Sequence, residues 1–249
     1  MGERTGTCIV VGSSSGIGLA LARRLALEGR RVAMLARRGE ELEVQADLVN
    51  EAVGKPLAHP YVHDAADLEA AEPLFARIER ELGPVDELYY VAGVMPEIGA
   101  EEYDLAKDAQ QMQVNALGCI AWVNAAIRRF HERRAGCIVG VSSVAQDRGR
   151  TARPGYHASK ASMDTYLESI RNREWKHGVQ VTTIRPGFVD TPMTAALQLR
   201  GAIPADRAAA LILRARDARK TIAYVPWQWR PIMFVVRNIP SVLFRRMTI

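Results

Sequence analysis

A glycine-rich turn close to the amino terminus most constrains how this chain can fold. Residues 8–11 are a short apolar run, residues 12–18 read Gly-Ser-Ser-Ser-Gly-Ile-Gly, and apolar residues then recur with helical spacing up to Leu25. Glycines let a backbone approach a pyrophosphate closely, and the free N–H groups at the start of the helix attract an anion. A glycine- and serine-rich loop is the plain alternative. The strand before it and the helix after it favour a dinucleotide-binding turn.

Strand-like apolar runs alternate with helical patterns along the rest of the chain. The runs are residues 8–11, 31–35, 87–91, 137–141, 179–184 and 221–225. Such alternation predicts a parallel sheet covered by helices on both faces. A chain of 249 residues with 48% hydrophobic content can bury one large core, and no repeat or linker divides it. We therefore expect one α/β domain over residues 1–249, a doubly wound parallel sheet of the Rossmann type, with a carboxyl-terminal amphipathic extension at 227–249.

Four polar residues have the spacing of a proton-transfer site. Tyr156 and Lys160 stand four residues apart, so they share one helix face, where the ammonium can lower the pKa of the phenol toward neutrality. Ser143 precedes the tyrosine by thirteen residues, and Asn115 precedes the serine by twenty-eight. A tyrosine and a lysine four apart are by themselves usually a surface pair. The glycine turn earlier in the chain favours the catalytic interpretation.

Up to about Val225, the chain resembles the short-chain dehydrogenase/reductase family. Several motifs carry the resemblance, and they occur in the family's order. Gly12, Gly16 and Gly18 match the TGxxxGIG loop, Asp64 matches the acid that contacts the adenine, and Ala92 and Gly93 match the end of the NNAG segment. Asn115, Ser143, Tyr156 and Lys160 match the catalytic tetrad, and Pro186, Gly187 and Thr191 match the PG-x-x-x-T segment. Two positions depart from the pattern. Val11 stands where the family usually has threonine, and Tyr90 and Val91 replace its paired asparagines.

The resemblance implies an oxidoreductase that transfers a hydride between a nicotinamide and a carbonyl or secondary alcohol. It assigns proton transfer to Tyr156, lowering of the tyrosine pKa and ribose binding to Lys160, a hydrogen bond to the substrate oxygen to Ser143, and water-mediated support of the lysine to Asn115. The implied cofactor-binding residues are Gly12, Ser14, Gly16, Ile17, Gly18, Arg37, Arg38, Asp64, Ala92, Gly93, Tyr156, Lys160, Pro186, Gly187, Val189 and Thr191. A dinucleotide-binding regulator or scaffold without turnover is the alternative, because a fold does not determine a function. The complete tetrad favours the enzyme.

Cofactor choice depends on the end of the second strand. NAD-using relatives carry an acidic residue there that accepts hydrogen bonds from the ribose, whereas residues 35–38 read Leu-Ala-Arg-Arg. Arg37 and Arg38 offer charge-assisted donors to a 2′-phosphate. They could instead pair with Glu40 and Glu41. The strand end therefore predicts NADP(H) as the cofactor.

Charge and cysteine content exclude several other classes of function. The net charge of +5 comes from arginines scattered along helices, without a nucleic-acid recognition module, so we expect no nucleic-acid partner. Arg148, Arg150 and Arg153 form a tighter group that either favours an anionic substrate or lies in a solvated loop. The three cysteines are irregularly spaced in apolar surroundings, which indicates buried free thiols and no metal site. The first strand begins too early for a signal peptide, and we expect a cytoplasmic location.

The sequence constrains the substrate class and the oligomeric state less than it constrains the fold. Residues 192–206 contain Met193, Ala195, Ala196, Leu197, Leu199 and Ile203, which form either an apolar lid over a lipophilic substrate or part of the core. Family members commonly assemble, so we expect a homodimer or homotetramer through the helices that carry Asn115 and Tyr156. Small or apolar residues offer a packing face on these helices, unless they face the sheet: Ala116, Cys119, Ala125, Ala158, Ala161 and Met163.

The carboxyl-terminal residues 227–249 combine an apolar run with arginines and tryptophans. Pro231 can start a helix and Pro240 can end it. The apolar run is interrupted too soon to span a bilayer, which takes about 20 apolar residues. We expect the segment to pack over the substrate pocket or across a subunit interface. Contact with anionic lipid through an interfacial amphipathic helix is the less favoured alternative.

Overall fold

The computed structural model describes residues 5–99, 101–197 and 199–247. The strands are β1 Thr7–Val11, β2 Arg31–Ala36, β3 Ala58–Val62, β4 Val85–Tyr90, β5 Gly136–Val141, β6 Val179–Pro186, β7 Val189–Asp190, β8 Ile203–Pro204 and β9 Ile222–Val225. The helices are α1 Gly16–Leu27, α2 Gly39–Val53, α3 Ala71–Leu82, α4 Leu105–Gln111, α5 Gly118–Arg133, α6 Pro154–Glu174, α7 Ala205–Asp217, α8 Trp229–Asn238 and α9 Ser241–Phe244. A π-helical turn spans Met112–Leu117, and 3₁₀ turns span Val144–Asp147 and Ala195–Leu197.

Seven parallel strands form the central sheet in the order β3-β2-β1-β4-β5-β6-β9. Strand order reverses beside β1, which pairs with β2 on one side and β4 on the other. Loops that leave the carboxyl ends of such strands diverge to opposite faces, and a ligand crevice forms between them. The predicted doubly wound parallel sheet is confirmed.

Helices cover both faces of the sheet, and successive strand residues point to opposite sides. Cys8 and Val10 belong to the core under α1, α2 and α7, whereas Ile9 and Val11 belong to the core under α3, α5 and α6. This period of two explains why the buried strands are continuous apolar runs.

Sequence periodicity located six of the seven central strands and missed β3. That strand contains His59 and Pro60, and only part of it is buried. Proline has no backbone N–H to donate, and a sheet edge tolerates this loss. The prediction failed because β3 pairs only with β2, at the edge, where an apolar run is not required.

The carboxyl-terminal segment folds as two short helices. Pro231 lies in the first turn of α8, where its missing N–H is harmless, and Pro240 separates α8 from α9. α8 packs against the 3₁₀ turn Val144–Asp147 and β9. Among the described residues, no helix is long and apolar enough to cross a membrane.

Burial confirms one expectation and corrects another. Cys8, Cys119 and Cys137 are buried free thiols, as predicted. The proposed packing face on α5, α6 and the π-helical turn was wrong in its details. Ala116, Cys119, Ala125 and Met163 lie in the core, while Ala158 is exposed and Ala161 half-buried. The four buried side chains are covered within the chain itself, so they are not available to a partner.

Candidate active site

The glycine turn joins β1 to α1 and leaves no room for a side chain at Gly12 or Gly18. Gly12 has φ of 91°, and a Cβ there would lie 2.6 Å from the backbone nitrogen of Ala92. A Cβ on Gly18 would lie 1.9 Å from the carbonyl oxygen of Gly12. In the described structure, the side chain of Ser15 at the helix N-cap accepts no hydrogen bond from the first turn. The first N–H groups of α1 thus remain available to an anion.

A cavity of about 290 Å³ opens at the carboxyl ends of the strands beside this turn. Every predicted cofactor-binding residue lines it: Gly12, Ser14, Gly16, Ile17, Gly18, Arg37, Arg38, Asp64, Ala92, Gly93, Tyr156, Lys160, Pro186, Gly187, Val189 and Thr191. Ser143 lines the same cavity. The glycine turn and three members of the tetrad therefore face one space, although up to about 150 residues of chain separate them.

Tyr156 and Lys160 lie on α6, and Ser143 follows β5. The Ser143 hydroxyl accepts a hydrogen bond from the backbone N–H of Ala145 at 3.1 Å, so the serine caps the 3₁₀ turn Val144–Asp147. The Lys160 ammonium lies 5.8 Å from the centroid of the Tyr156 ring and donates to the carbonyl oxygen of Val141 at 3.0 Å. Backbone contacts thus hold both polar groups in place near Tyr156.

The predicted lowering of the tyrosine pKa by Lys160 is not what the structure gives. Burial raises the pKa of Tyr156 above its ordinary value, and hydrogen bonding to Ser143 and the charge of Arg153 oppose this rise. Burial also lowers the pKa of Lys160 to about 8. Removal from water disfavours the charged form of each group, and it is the largest influence on both pKa values.

Asn115 lies behind the cavity wall, where it connects two elements. Its Oδ1 accepts from the N–H of Val94 at 2.7 Å, and its Nδ2 donates to the carbonyl oxygen of Val94 and to Ser159 Oγ, both at 3.0 Å. Ser159 in turn donates to the carbonyl oxygen of Tyr156 at 2.9 Å. A Cβ on Gly93 would lie 3.2 Å from Asn115 Oδ1 and 3.4 Å from Lys160 Nζ, so both groups border that glycine.

Sequence reasoning missed Ser159 and the π-helical turn Met112–Leu117 that carries Asn115. Ser159 is fully buried three residues after Tyr156, and its small polar side chain on the buried helix face was the available signal. π-helical turns are frequent at functional sites. Their local sequence carries no comparable signal.

Tyr90, one of the departures from the family pattern, is fully buried at the end of β4. Its hydroxyl donates to the carbonyl oxygen of Val114 within the π-helical turn. The phenol thus connects the sheet to the turn that carries Asn115. The departure adds a contact that the sequence did not predict.

The two strand-end arginines occupy different settings. Arg38 donates to Ser14 Oγ at 3.3 Å and forms an ion pair of 2.7 Å with Glu41, so one of the alternative acidic partners is used. Arg37 is exposed at the cavity. Asp64 follows β3, and its Oδ1 accepts from the backbone N–H of Ala66 at 2.9 Å.

The arginine group between Ser143 and Tyr156 contacts the carboxyl-terminal segment. Arg148 donates to the carbonyl oxygens of Val236 at 2.9 Å and Ile239, and its guanidinium stacks on the Phe244 ring at 3.8 Å. Arg150 donates to Met233 Sδ at 3.8 Å. Neither arginine is among the residues that line the described cavity. Arg148 and Arg150 thus contact the carboxyl-terminal helices, a role that neither alternative, an anionic substrate or a solvated loop, had included.

The apolar residues of segment 192–206 divide between cavity and core. Met193 lines the cavity and is 41% exposed, whereas Ile203 is buried in the core and belongs to β8, which pairs with β7. Ala195 and Ala196 are exposed. Part of the segment thus borders the cavity, and another part holds the segment to the core.

The fold is shared with solved oxidoreductase structures. A short-chain dehydrogenase from Sphingobium yanoikuyae in complex with NADPH superposes with a TM-score of 0.82 at 21% identity, covering 95% of this chain and 97% of that one. An actinorhodin polyketide ketoreductase with NADPH superposes with a TM-score of 0.81 at 23% identity, covering 90% of this chain and 96% of the other. At such identity the likeness concerns the fold alone.

Sequence comparison identifies the family. An uncharacterised oxidoreductase of Mycobacterium tuberculosis is 30% identical over 96% of both chains, and one of Myxococcus xanthus is 34% identical over 76% of this chain and 74% of that protein. The family model described as short chain dehydrogenase matches residues 6–200. The chain therefore belongs to the short-chain dehydrogenase family of oxidoreductases.

Proposed function

We propose that this protein is an NADP(H)-dependent oxidoreductase that interconverts a carbonyl and a secondary alcohol, with the whole chain forming one catalytic domain. The observation that carries the proposal is the shared cavity, because Ser143, Tyr156 and Lys160 border the same space as the glycine turn. The crowded glycines and the available N–H groups at the start of α1 fit a pyrophosphate. A nicotinamide dinucleotide bound there would supply or accept the hydride.

The protein's own groups handle the proton and the substrate oxygen. The Tyr156 hydroxyl donates its proton to the carbonyl oxygen in the reductive direction and recovers it in the oxidative direction. The Ser143 hydroxyl hydrogen-bonds the same oxygen and stabilises its developing charge. Lys160 stabilises the phenolate that proton transfer leaves behind. Asn115 acts as a positioning residue, since its hydrogen bonds connect the Gly93–Val94 backbone to α6.

Preference for NADP(H) follows from the chemistry of the strand end. Arg37 and Arg38 border the cavity, and Arg38 reaches Ser14 of the glycine turn. Guanidinium groups at this place suit a 2′-phosphate, and the strand end carries no acidic residue to accept from a ribose hydroxyl. Both structural neighbours described above contain NADPH, in keeping with this choice.

A lipophilic substrate is favoured by Met193, which is exposed where it lines the cavity. Its thioether side chain adapts to apolar ligands of different shape. A homo-oligomer is a further part of the proposal, and it rests on the family resemblance.

The catalytic assignment is tested with Tyr156→Phe. We expect NADPH oxidation with a panel of aldehydes and ketones to fall at least about a hundredfold, because general acid catalysis typically contributes that much. NADPH binding, measured by fluorescence titration, should change little. Tyr166→Phe on the same helix is the matched control and should keep full activity. Activity of Tyr156→Phe within threefold of the parent would refute the assignment.

Cofactor preference is tested with Arg37→Ala and Arg38→Ala. Each should weaken NADPH binding at least about tenfold and NADH binding less, because a charge-assisted hydrogen bond contributes roughly 1.5–3 kcal/mol. Arg31→Ala, at the opposite end of β2, is the control and should alter neither affinity. Equal weakening of both cofactors, or tighter binding of NADH by the parent, would contradict the assignment.

A dinucleotide-binding regulator without turnover is the competing function. It predicts NADPH binding with no consumption across the whole carbonyl panel. The presence of Ser143, Tyr156 and Lys160 around one cavity favours turnover.

A further inference from the structure

Exposed apolar side chains concentrate at the carboxyl-terminal end of the described chain. Seven of the sixteen exposed large apolar residues in the described structure lie within residues 227–247: Trp227, Ile232, Phe234, Val235, Val242, Leu243 and Met247. Trp227 is 70% exposed and Phe234 is 71% exposed. Single exposed apolar residues are ordinary on a protein surface, but a concentration of them marks an interaction site. We call this group, with the arginines between its members, the carboxyl-terminal surface.

The carboxyl-terminal surface is presented by a helix that is docked on the rest of the protein. Met233 is buried, and the Trp229 ring packs edge-on against Phe188 at 4.8 Å. Arg148 holds the last carbonyl groups of α8 and stacks on Phe244. One face of α8 thus already satisfies its packing, so the exposed side chains on the other face are not needed by the fold.

The same surface carries only positive charge. Arg230, Arg237, Arg245 and Arg246 are exposed. The sequence contains no aspartate or glutamate from residue 218 to residue 249. Arginines interleaved with tryptophan, phenylalanine and leucine are typical of helices that lie in the interface of an anionic membrane.

We propose that the carboxyl-terminal surface docks on an anionic lipid membrane, with α8 and α9 lying in the plane of the interface. The arginines would pair with lipid phosphates and carboxylates, while the apolar side chains enter the boundary of the acyl chains. A second copy of the chain fits less well, because a two-fold contact places a surface against itself and would bring these arginines together. α8 has ten residues, too few to span a bilayer.

Docking would place the catalytic cavity close to the membrane. The inward face of α8 reaches Gly187, which lines the cavity, because a Cβ on that glycine would lie 1.8 Å from Trp229 Nε1. A lipophilic carbonyl dissolved in the bilayer would then have a short path to the site. This consequence rests on the proposed function, whereas membrane docking itself does not require turnover.

Flotation on vesicles tests the proposal without any substrate. We expect the full-length protein to float with phosphatidylcholine vesicles that contain phosphatidylserine, to stay behind with phosphatidylcholine alone, and to be released by salt. Phe234→Gln should weaken binding about tenfold by removing apolar insertion. Arg245→Gln and Arg246→Gln should each weaken it about fivefold.

Matched controls distinguish binding through this surface from nonspecific binding to vesicles. Trp175→Gln removes an apolar side chain that is also 71% exposed, on another part of the protein, and Arg207→Gln removes an exposed arginine from α7. Neither control should alter flotation, and a thermal melt should show all variants folded. Equal losses in variants and controls would overturn the proposal.

Two further results would overturn the proposal. The first is a parent protein that fails to float with the anionic vesicles. The second is a sedimentation measurement without vesicles in which Phe234→Gln dissociates an oligomer, because the surface would then be an interface between copies. Failure of the proposed function would appear differently, as loss of NADPH consumption with flotation unchanged.

Discussion

Lys160 is the residue at which stability and chemistry conflict most directly. It is 4% exposed, and its ammonium donates to the carbonyl oxygen of Val141. Burial lowers its pKa to about 8, so the folded protein holds this proton less tightly than the unfolded chain does. The cost of the buried charge is therefore fully present below pH 8. It is relieved as the pH rises from about 8 toward the ordinary lysine value.

Replacement of Lys160 by methionine should stabilise the fold while it removes activity. At pH 7 we expect the free energy of unfolding to rise by about 2 kcal/mol. Removal of the buried charge gains the free energy that corresponds to the pKa shift, and loss of the hydrogen bond to Val141 takes away part of that gain. The gain over the parent should shrink toward pH 10, where the parent lysine is largely neutral in the folded state. Urea unfolding of both proteins at the two pH values measures this difference. A gain that grows with pH, or a less stable variant at pH 7, would contradict the assigned pKa direction.

At the scale of elements, the site depends on short irregular pieces between the regular ones. The π-helical turn Met112–Leu117 positions Asn115 beside α6, and Tyr90 holds that turn to the sheet. The 3₁₀ turn Val144–Asp147 begins at Ser143 and leads to Arg148, which binds α8. Ser143, the proposed donor to the substrate oxygen, therefore lies only five positions before the arginine that holds the carboxyl-terminal helices.

Arg148→Ala should loosen α8 and α9 while the sheet is retained. The variant loses hydrogen bonds from a charged donor to the last carbonyl groups of α8, together with the stacking on Phe244. We expect a stability loss of about 1–3 kcal/mol and faster hydrogen exchange in residues 229–244. Arg207→Ala on α7 serves as the control. Unchanged exchange in that segment would show that apolar packing alone holds the helices.

At the scale of the whole molecule, assembly depends on which helix faces remain exposed. The inward faces of α5 and α6 are already used, because Cys119, Ala125 and Met163 lie in the core. Leu105 on α4 is 84% exposed, and Leu117 before α5 is 40% exposed. These side chains offer an outer face for association next to the helices that carry Asn115 and Tyr156.

We expect the protein to sediment as a homodimer or homotetramer at micromolar concentration. Leu117→Glu should shift it toward smaller species, because a carboxylate in an apolar contact loses its hydration without gaining a partner. Leu27→Glu, at an exposed position on α1, should leave the assembly unchanged. A monomeric parent would refute the prediction. An assembly that is insensitive to Leu117→Glu would place the contact elsewhere.

Local signals determined the sheet and the position of the site. Apolar runs of strand length, separated by helical periodicity, located six central strands, because a buried parallel strand must be apolar on both faces. The glycine turn could be recognised in the sequence because packing restricts its residue types, since Gly12 and Gly18 have no room for a Cβ. The spacing of Ser143, Tyr156 and Lys160 likewise indicated one site, which the fold closes into one cavity.

Only the tertiary structure decided what surrounds those residues. The sequence did not reveal β3, because a strand that pairs only at the sheet edge does not require an apolar run. It did not reveal the burial that raises the Tyr156 pKa, because desolvation depends on neighbours that are distant in sequence. It also left the partner of Arg148 open, because a guanidinium can bind either an anionic substrate or the carbonyl groups at a helix end. Only the folded structure shows that α8 lies within its reach. Residue type and spacing determined which groups the protein has, and long-range packing decided which of them meet.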